Sequence, residues 1–115
     1  MNRWYGRLVN DDPASAELVT AAIDLLESEG PTLGRPLVDR ISRSSVHGMK
    51  ELRPGSRGQS EFRILFVFDP ERQAILLAAG DKSGNWSDWY AENVPVAEHR
   101  YSRWLAGDYN EERGS

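Results

Sequence analysis

The 115-residue chain contains no cysteine, which excludes disulfide bonds, a thiol nucleophile and a thiolate metal site. Its two histidines, His47 and His99, do not stand in a metal-binding spacing such as H-E-x-x-H. The longest apolar runs, "ILFVF" and "AILLAAG", are far shorter than the roughly 20 residues that span a bilayer, and the N-terminus lacks a signal-peptide core. We therefore expect a single cytoplasmic domain that uses no metal, cofactor or membrane segment.

The charge is unevenly distributed along a chain whose net charge is -4. From Arg35 to Arg63 there are seven cations and three acidic residues, whereas the rest of the chain holds seven cations and fifteen acidic residues. This asymmetry predicts a basic face that binds an anionic partner. The alternative is a set of surface arginines that merely pair with neighbouring carboxylates.

Helical and strand periodicities predict the element order β-α-α-β-β-β-α. Arg3 to Val9 is predicted as a first strand, because it is short and contains Trp and Tyr. A helix should begin after an Asp12 cap and end at Gly30. A second, shorter helix is predicted from Pro36 to about Ser42.

The second half of the chain predicts an antiparallel meander of three strands, "MKELR", "EFRILFVFD" and "AILLAAG". A helical turn from Trp86 to Tyr90 and a final helix from Val94–Pro95 to Leu105 should follow. Together these elements predict an α+β fold of two layers, with helices on one sheet face and the other face partly open. Residues 1–106 form the predicted domain, and residues 107–115 a disordered tail.

Strand alternation separates the cations of the meander into two groups. Lys50 points to one face of its strand, and Arg53 points to the other. Arg53 and Arg63 lie on adjacent predicted strands, and Lys82 directly follows the third. Such a patch suits a phosphodiester, because arginine donates charge-assisted hydrogen bonds to phosphate oxygens and stabilises the phosphorane formed when a ribose 2′-hydroxyl attacks. Arg57, in a Gly- and Ser-rich loop, is predicted to steer RNA towards it.

The motifs "MKELR", "FRILFVFD" and "AILLAAGDKSGNW", within residues 33–105, resemble the RelE/ParE superfamily of type II toxins in its phage-derived, HigB-like branch. The resemblance implies a RelE-like fold and a metal-independent endoribonuclease that cleaves messenger RNA, usually at the ribosome. It also implies an antitoxin partner with a helix-turn-helix domain.

The resemblance also implies roles for individual residues. Lys50 and Arg53 in "MKELR" would hold the RNA backbone, with Lys50 as a possible general base and the weakest of the catalytic candidates. Arg63 in "FRILF" would stabilise transition-state charge, and Lys82 in "GDK" would contact phosphate or assist proton transfer. The general acid stays unassigned. The further RNA-binding candidates are Arg57, His47 and Tyr90.

Two other functions remain open on the same scaffold. One is a toxin that binds a protein target such as DNA gyrase without cleaving RNA. The other is a regulatory or interaction protein without toxic activity, which the acidic overall charge favours. A concentration of cations where a phosphate would bind favours the ribonuclease.

Overall fold

The structure is a computed structural model that describes residues 2–56 and 58–107. These residues contain three α-helices, four strands and a short 3-10 turn, which confirms the predicted α+β class. The elements are α1 (Asn2–Asp11), α2 (Pro13–Glu29), the 3-10 turn (Gly30–Thr32), β1 (Val38–Arg40), β2 (Lys50–Leu52), β3 (Phe62–Phe68), β4 (Ala74–Asp81) and α3 (Trp86–Leu105).

The four strands form one antiparallel sheet in the order β1-β2-β3-β4. The predicted three-stranded meander is confirmed as β2, β3 and β4, and β1 extends it at one edge. The β3–β4 register passes from Leu65 opposite Ala78 to Phe66 opposite Leu76, so Leu77 is an extra residue in β4. This bulge places Leu77 and Ala78 in the same apolar cluster, although they are consecutive.

Alternation along β3 builds two separate cores on the two faces of the sheet. Phe62, Ile64 and Phe66 pack with buried residues of α1 and α2. Leu65 and Val67 pack with buried residues of α3. The helices therefore cover both faces, so the prediction of two layers with one open face was wrong. At the end of the sheet nearest the start of α3, Arg53 and Lys82 are only half-buried.

The first element is a helix, so the predicted strand at Arg3 to Val9 was wrong. Trp4, Tyr5 and Leu8 have helical spacing, and they pack against the core that α2 shares with the sheet. Trp4 meets Phe62 edge to face, with ring centroids 5.7 Å apart. Packing between α1 and α2 thus outweighs the strand preference of Trp and Tyr.

The predicted second helix at Pro36 to Ser42 was also wrong, because Val38–Arg40 forms strand β1. Val38 pairs with Leu52 and is 3% exposed, so pairing at the sheet edge buries an apolar side chain that a short surface helix would leave more accessible. The apolar pattern was too short to distinguish a helix from a strand.

The remaining helices follow the sequence signals more closely. Helix α2 begins at Pro13, and the Asp12 side chain accepts a hydrogen bond from Ser15 N at 3.2 Å, as predicted for its cap. Helix α3 begins after Asn85 and runs through Pro95, so the predicted short turn and final helix are one continuous element.

No helix in the described ranges is long and apolar enough to cross a membrane. Of the predicted tail, residues 108–115 lie outside the described residues.

Candidate active site

Glu51, in the middle of β2, is a buried carboxylate only 3% exposed to solvent. It lies opposite Leu65 of β3, on the sheet face covered by α3. Tyr90 of α3 donates its hydroxyl hydrogen to Glu51 Oε1. Arg53 places Nε and Nη2 each 2.8 Å from Glu51 Oε2. A buried carboxylate is stable only with such partners, so Glu51 organises the side chains around it.

Arg53 and Arg63 reach this carboxylate from neighbouring strands. Arg63 Nε lies 3.9 Å from Glu51 Oε1, and it is buried without a hydrogen-bond partner. Its Nη1 donates to the Phe62 carbonyl at 2.7 Å. The Arg53 side chain is 32% exposed, whereas that of Arg63 is 13% exposed. We call Glu51, Arg53, Arg63 and Tyr90 the Glu51 cluster.

Acidic neighbours tune the charge of Arg53. Arg53 Nη2 also lies 3.0 Å from Asp39 Oδ2 on β1. Burial opposes the charge of Arg53, but the hydrogen bond and charge of Glu51 outweigh it and raise the pKa of Arg53. The guanidinium is therefore held in place by two carboxylates from two strands while part of its surface faces solvent.

Tyr90 is held as a neutral phenol. Burial, followed by the hydrogen bond and charge of Glu51, raises the pKa of Tyr90 to about 12. At neutral pH its hydroxyl keeps its proton and donates a hydrogen bond to Glu51. The ring of Tyr90 is therefore the part of the side chain that contacts cations, with Arg43 Cζ 5.5 Å from its centroid.

Lys82 lies at the rim of the Glu51 cluster, just after β4. Its backbone N–H donates to the Glu61 carbonyl at 3.0 Å, and its Nζ lies 5.5 Å from the Tyr90 ring centroid and 5.7 Å from that of Trp86. Partial burial, and then the positive charge of Arg63, lower the pKa of Lys82 against the opposing charges of Glu51 and Glu61. A lowered pKa makes proton transfer by this lysine easier at neutral pH.

Helix α3 approaches the sheet closely beside the Glu51 cluster. Gly80 of β4 lies opposite Arg63, and a Cβ atom added at Gly80 would stand 2.4 Å from Trp89 Nε1. Only glycine leaves room for the indole at this point. Trp89 in turn packs edge to face on Tyr90, with centroids 5.1 Å apart.

The β1–β2 loop forms the other wall of the site. A cavity of about 140 Å³ opens there beside the Glu51 cluster; its lining residues are Arg40, Ile41, Ser42, Arg43, Glu51 and Tyr90. The loop is fastened to α3, because Glu98 Oε2 accepts hydrogen bonds from Ser44 Oγ at 2.8 Å and Ser45 N at 2.7 Å. These bonds lower the pKa of Glu98, against a smaller opposing effect of burial.

The structure brings together only part of the predicted site. Arg53, Arg63, Lys82 and Tyr90 are in contact or share partners, as described above. Lys50 lies on the opposite face of β2, with its Nζ 5.4 Å from the Phe68 ring centroid, as strand alternation predicted. His47 is exposed in the β1–β2 loop, outside the Glu51 cluster. The predicted Arg57 lies outside the described residues.

The sequence interpretation missed two residues that shape the site, Glu51 and Arg43. Glu51 stands two residues before Arg53, so alternation already placed both on one face of β2. A carboxylate between Lys50 and Leu52 in a predicted strand of the meander was the available signal. Arg43 had no such signal, because its position over Tyr90 depends on how the β1–β2 loop meets α3.

Within residues 2–56 and 58–107, no three acidic or histidine side chains are grouped as metal ligands.

Comparison with known proteins identifies the family of this chain. Residues 8–102 match the family described as "Phage derived protein Gp49-like". The chain is 55% identical over 109 residues to "Putative toxin HigB3" of Mycobacterium tuberculosis, which covers 95% of this chain and 90% of that protein. It is 57% identical over 106 residues to "Putative toxin HigB2" of the same organism, covering 92% of this chain but only 51% of that protein. No solved structure matches the chain.

These matches confirm the resemblance that the strand motifs predicted. The chain therefore belongs to the phage-derived Gp49-like family, among the HigB-like type II toxins.

Proposed function

We propose that the protein is the toxin of a type II toxin–antitoxin pair and that it cleaves messenger RNA in the cytoplasm, at the ribosome, without a metal ion. The observation that carries this proposal is the convergence of Arg53 and Arg63 on buried Glu51, with Lys82 alongside. Three cations gathered at one accessible end of the sheet suit a phosphodiester. The names of the two relatives support the toxin assignment.

The proposed reaction is attack of a ribose 2′-oxygen on the adjacent phosphorus. The bond to the 5′-oxygen breaks, which leaves a 2′,3′-cyclic phosphate and a 5′-hydroxyl, so no water is consumed in this step. Negative charge grows on the phosphorane oxygens. Arg53 and Arg63 would stabilise that charge, Arg53 through direct contact because it is the more exposed of the two. Carboxylates on their other sides keep both guanidinium groups oriented before RNA arrives.

Lys82 is our candidate for proton transfer, because its lowered pKa brings its neutral form closer to physiological pH. Tyr90 is a weaker candidate for this role, because its hydroxyl already donates to Glu51. We propose that Tyr90 supports the site through its ring and through the orientation of Glu51. The position of Lys50 on the opposite sheet face gives its predicted catalytic role no support.

The proposed partners are messenger RNA on the ribosome and an antitoxin with a helix-turn-helix domain. The antitoxin partner is inferred from the toxin family, whereas the RNA partner is inferred from the cations of the site. His47 is proposed as a secondary RNA contact because it lies in the β1–β2 loop. Arg57 is proposed because its place in the sequence is between the motifs that carry Arg53 and Arg63.

Controlled expression in cells tests this proposal. Wild type, Arg63→Ala, Lys82→Ala and the control Arg103→Ala would be induced while protein synthesis, DNA synthesis and messenger RNA integrity are followed. We expect wild type and Arg103→Ala to stop protein synthesis first, with cleaved messenger RNA, because Arg103 is an exposed cation in the last turn of α3. Both site variants should lose this effect.

The other functions predict different results. If DNA synthesis stops first while messenger RNA stays intact, the protein acts on a target such as gyrase and the ribonuclease proposal is wrong. If wild type has no effect on growth at the same expression level, the toxin assignment is wrong. A folded Arg63→Ala variant as active as wild type would overturn the assigned site.

A further inference from the structure

The cavity between the β1–β2 loop and α3 is not used by the reaction proposed above. It shares Glu51 and Tyr90 with the Glu51 cluster, so whatever it holds lies directly beside that cluster. Its volume of about 140 Å³ is well below the roughly 300–1,000 Å³ of pockets for drug-sized ligands. It has room for one small ring system rather than for a whole nucleotide.

The walls of this cavity combine flat groups with hydrogen-bond donors. The guanidinium of Arg43 lies over the Tyr90 ring, 5.5 Å from its centroid. Single-stranded RNA bases stack on just these two kinds of surface, aromatic rings and guanidinium planes. Ile41 adds an apolar side chain to the lining.

The donors and acceptors of the cavity favour one base. Arginine can only donate hydrogen bonds, and the Glu51 oxygens already accept bonds from Tyr90 and Arg53. Arg43 therefore suits a base that presents acceptors. Guanine presents two, O6 and N7, in the geometry that an arginine fork matches, whereas uracil presents only O4 there and cytosine and adenine present a donor on the corresponding edge.

The loop that carries Arg43 is held in place rather than left free. Ser44 Oγ, Ser45 N and Ser45 Oγ all donate to Glu98 Oε2, at 2.8, 2.7 and 3.0 Å. Ile41 N also donates to the Met49 carbonyl at 2.9 Å, which closes the base of the loop. Preorganisation of this kind reduces the ordering cost that a ligand would meet on binding here.

We propose that this cavity binds one unstacked nucleobase of the RNA substrate, with a preference for guanine, and that Arg43 is the residue that selects it. This inference rests on the proposed RNA-cleaving function and adds a source of sequence preference to it. Arg43 is then a specificity residue, and the Glu51 cluster supplies the chemistry.

Binding of short RNAs tests the proposal. The probes are four fluorescently labelled pentanucleotides with 2′-O-methyl riboses, UUGUU, UUAUU, UUCUU and UUUUU, which resist attack by the 2′-oxygen. Fluorescence anisotropy would be measured for wild type, Arg43→Ala, Arg43→Lys and Arg103→Ala at several salt concentrations. Arg103 is thirteen helical residues from Tyr90, or about 20 Å along α3, so its removal controls for net charge.

We expect wild type and Arg103→Ala to bind UUGUU at least about fivefold more tightly than the other RNAs. Arg43→Ala should lose this preference, and Arg43→Lys should lose it while keeping the salt dependence, because lysine retains the charge without the fork. Thermal unfolding checks that each variant is folded, which the exposed position of Arg43 favours.

Other outcomes overturn the inference in distinguishable ways. Equal binding of all four RNAs by wild type removes the base site and leaves the ribonuclease proposal standing. Uniform weakening by Arg43→Ala, with a salt slope reduced by about 0.7, means that Arg43 contacts only phosphate. A guanine preference that survives in Arg43→Ala places selection elsewhere. Absence of binding to any RNA by wild type contradicts the proposed function and the inference with it.

Discussion

Replacing Glu51 by glutamine tests whether this carboxylate holds the site together. The change keeps the shape of the side chain but removes its charge. In the wild type one Glu51 oxygen accepts from Tyr90 and the other from Arg53. In glutamine an NH₂ group replaces one of these oxygens, so in either orientation of the amide one of the two partners faces a donor. The protein thus loses charge-assisted bonds to two partners and the buried negative charge 3.9 Å from Arg63 Nε.

The magnitude follows from burial and from the number of bonds. Hydrogen bonds to charged groups contribute about 1.5–3 kcal/mol, and neutral ones about 0.5–1.5 kcal/mol, so two such partners lose about 2–3 kcal/mol in total. The loss stays below the roughly 3–5 kcal/mol of a fully buried broken pair, because Arg53 is a third exposed and keeps Asp39 at 3.0 Å. For a domain of about this size the midpoint of thermal unfolding should fall by about 8–12 °C.

Urea unfolding followed by circular dichroism measures the effect. The matched control is Glu61→Gln, which removes an exposed carboxylate 3.8 Å from the same Arg63 and should change stability by less than about 0.5 kcal/mol. A double-mutant cycle of Glu51→Gln with Tyr90→Phe should give a coupling energy of about 1 kcal/mol or more. If Glu51→Gln is as stable as Glu61→Gln, the account of the Glu51 cluster is wrong.

Three further predictions follow from other parts of the structure. Gly80→Ala should destabilise the protein by about 1–3 kcal/mol in urea unfolding, because its Cβ would meet Trp89 Nε1 at 2.4 Å; wild-type stability would contradict the close packing of α3 on β4. Glu98 has a lowered folded pKa, so its stabilisation is present above the unfolded pKa near 4.5 and is lost as pH falls through the folded value; Glu98→Gln should therefore flatten the acid side of the stability curve, and an unchanged curve refutes this. Tyr90 should ionise near pH 12 in an absorbance titration, a phase absent from Tyr90→Phe, and stability should fall between about pH 10 and 12, where the unfolded state loses its proton first.

The sequence predicted the elements whose periodicity continues over many residues. Strand β3 alternates over seven positions and α2 has clear start and stop signals, so both were recognised. The elements α1 and β1 were misread because their state is decided by neighbours distant in sequence. Leu8 of α1 packs into the core shared with α2 and the sheet, and Val38 of β1 pairs with Leu52. Local propensity does not contain that information.

The candidate site was predictable to a similar degree. Alternation placed Arg53 and Lys50 on opposite faces of β2, and the structure agrees. The bond between Tyr90 and Glu51 joins residues 39 positions apart, so it depends on where α3 crosses the sheet. The burial of Glu51, and with it the orientation of the arginines, therefore needed the structure.

Cleavage of RNA by the purified protein tests the central claim most directly. Ribosomes translating a defined messenger RNA would be incubated with an excess of purified wild type, Lys82→Ala or Arg103→Ala, each free of antitoxin. The ends of the RNA fragments would then be analysed chemically. We expect wild type and Arg103→Ala to produce fragments ending in a 2′,3′-cyclic phosphate, and Lys82→Ala to be slower by at least about a hundredfold. Intact RNA with wild type, or equal rates for Lys82→Ala and Arg103→Ala, would contradict the proposed ribonuclease site.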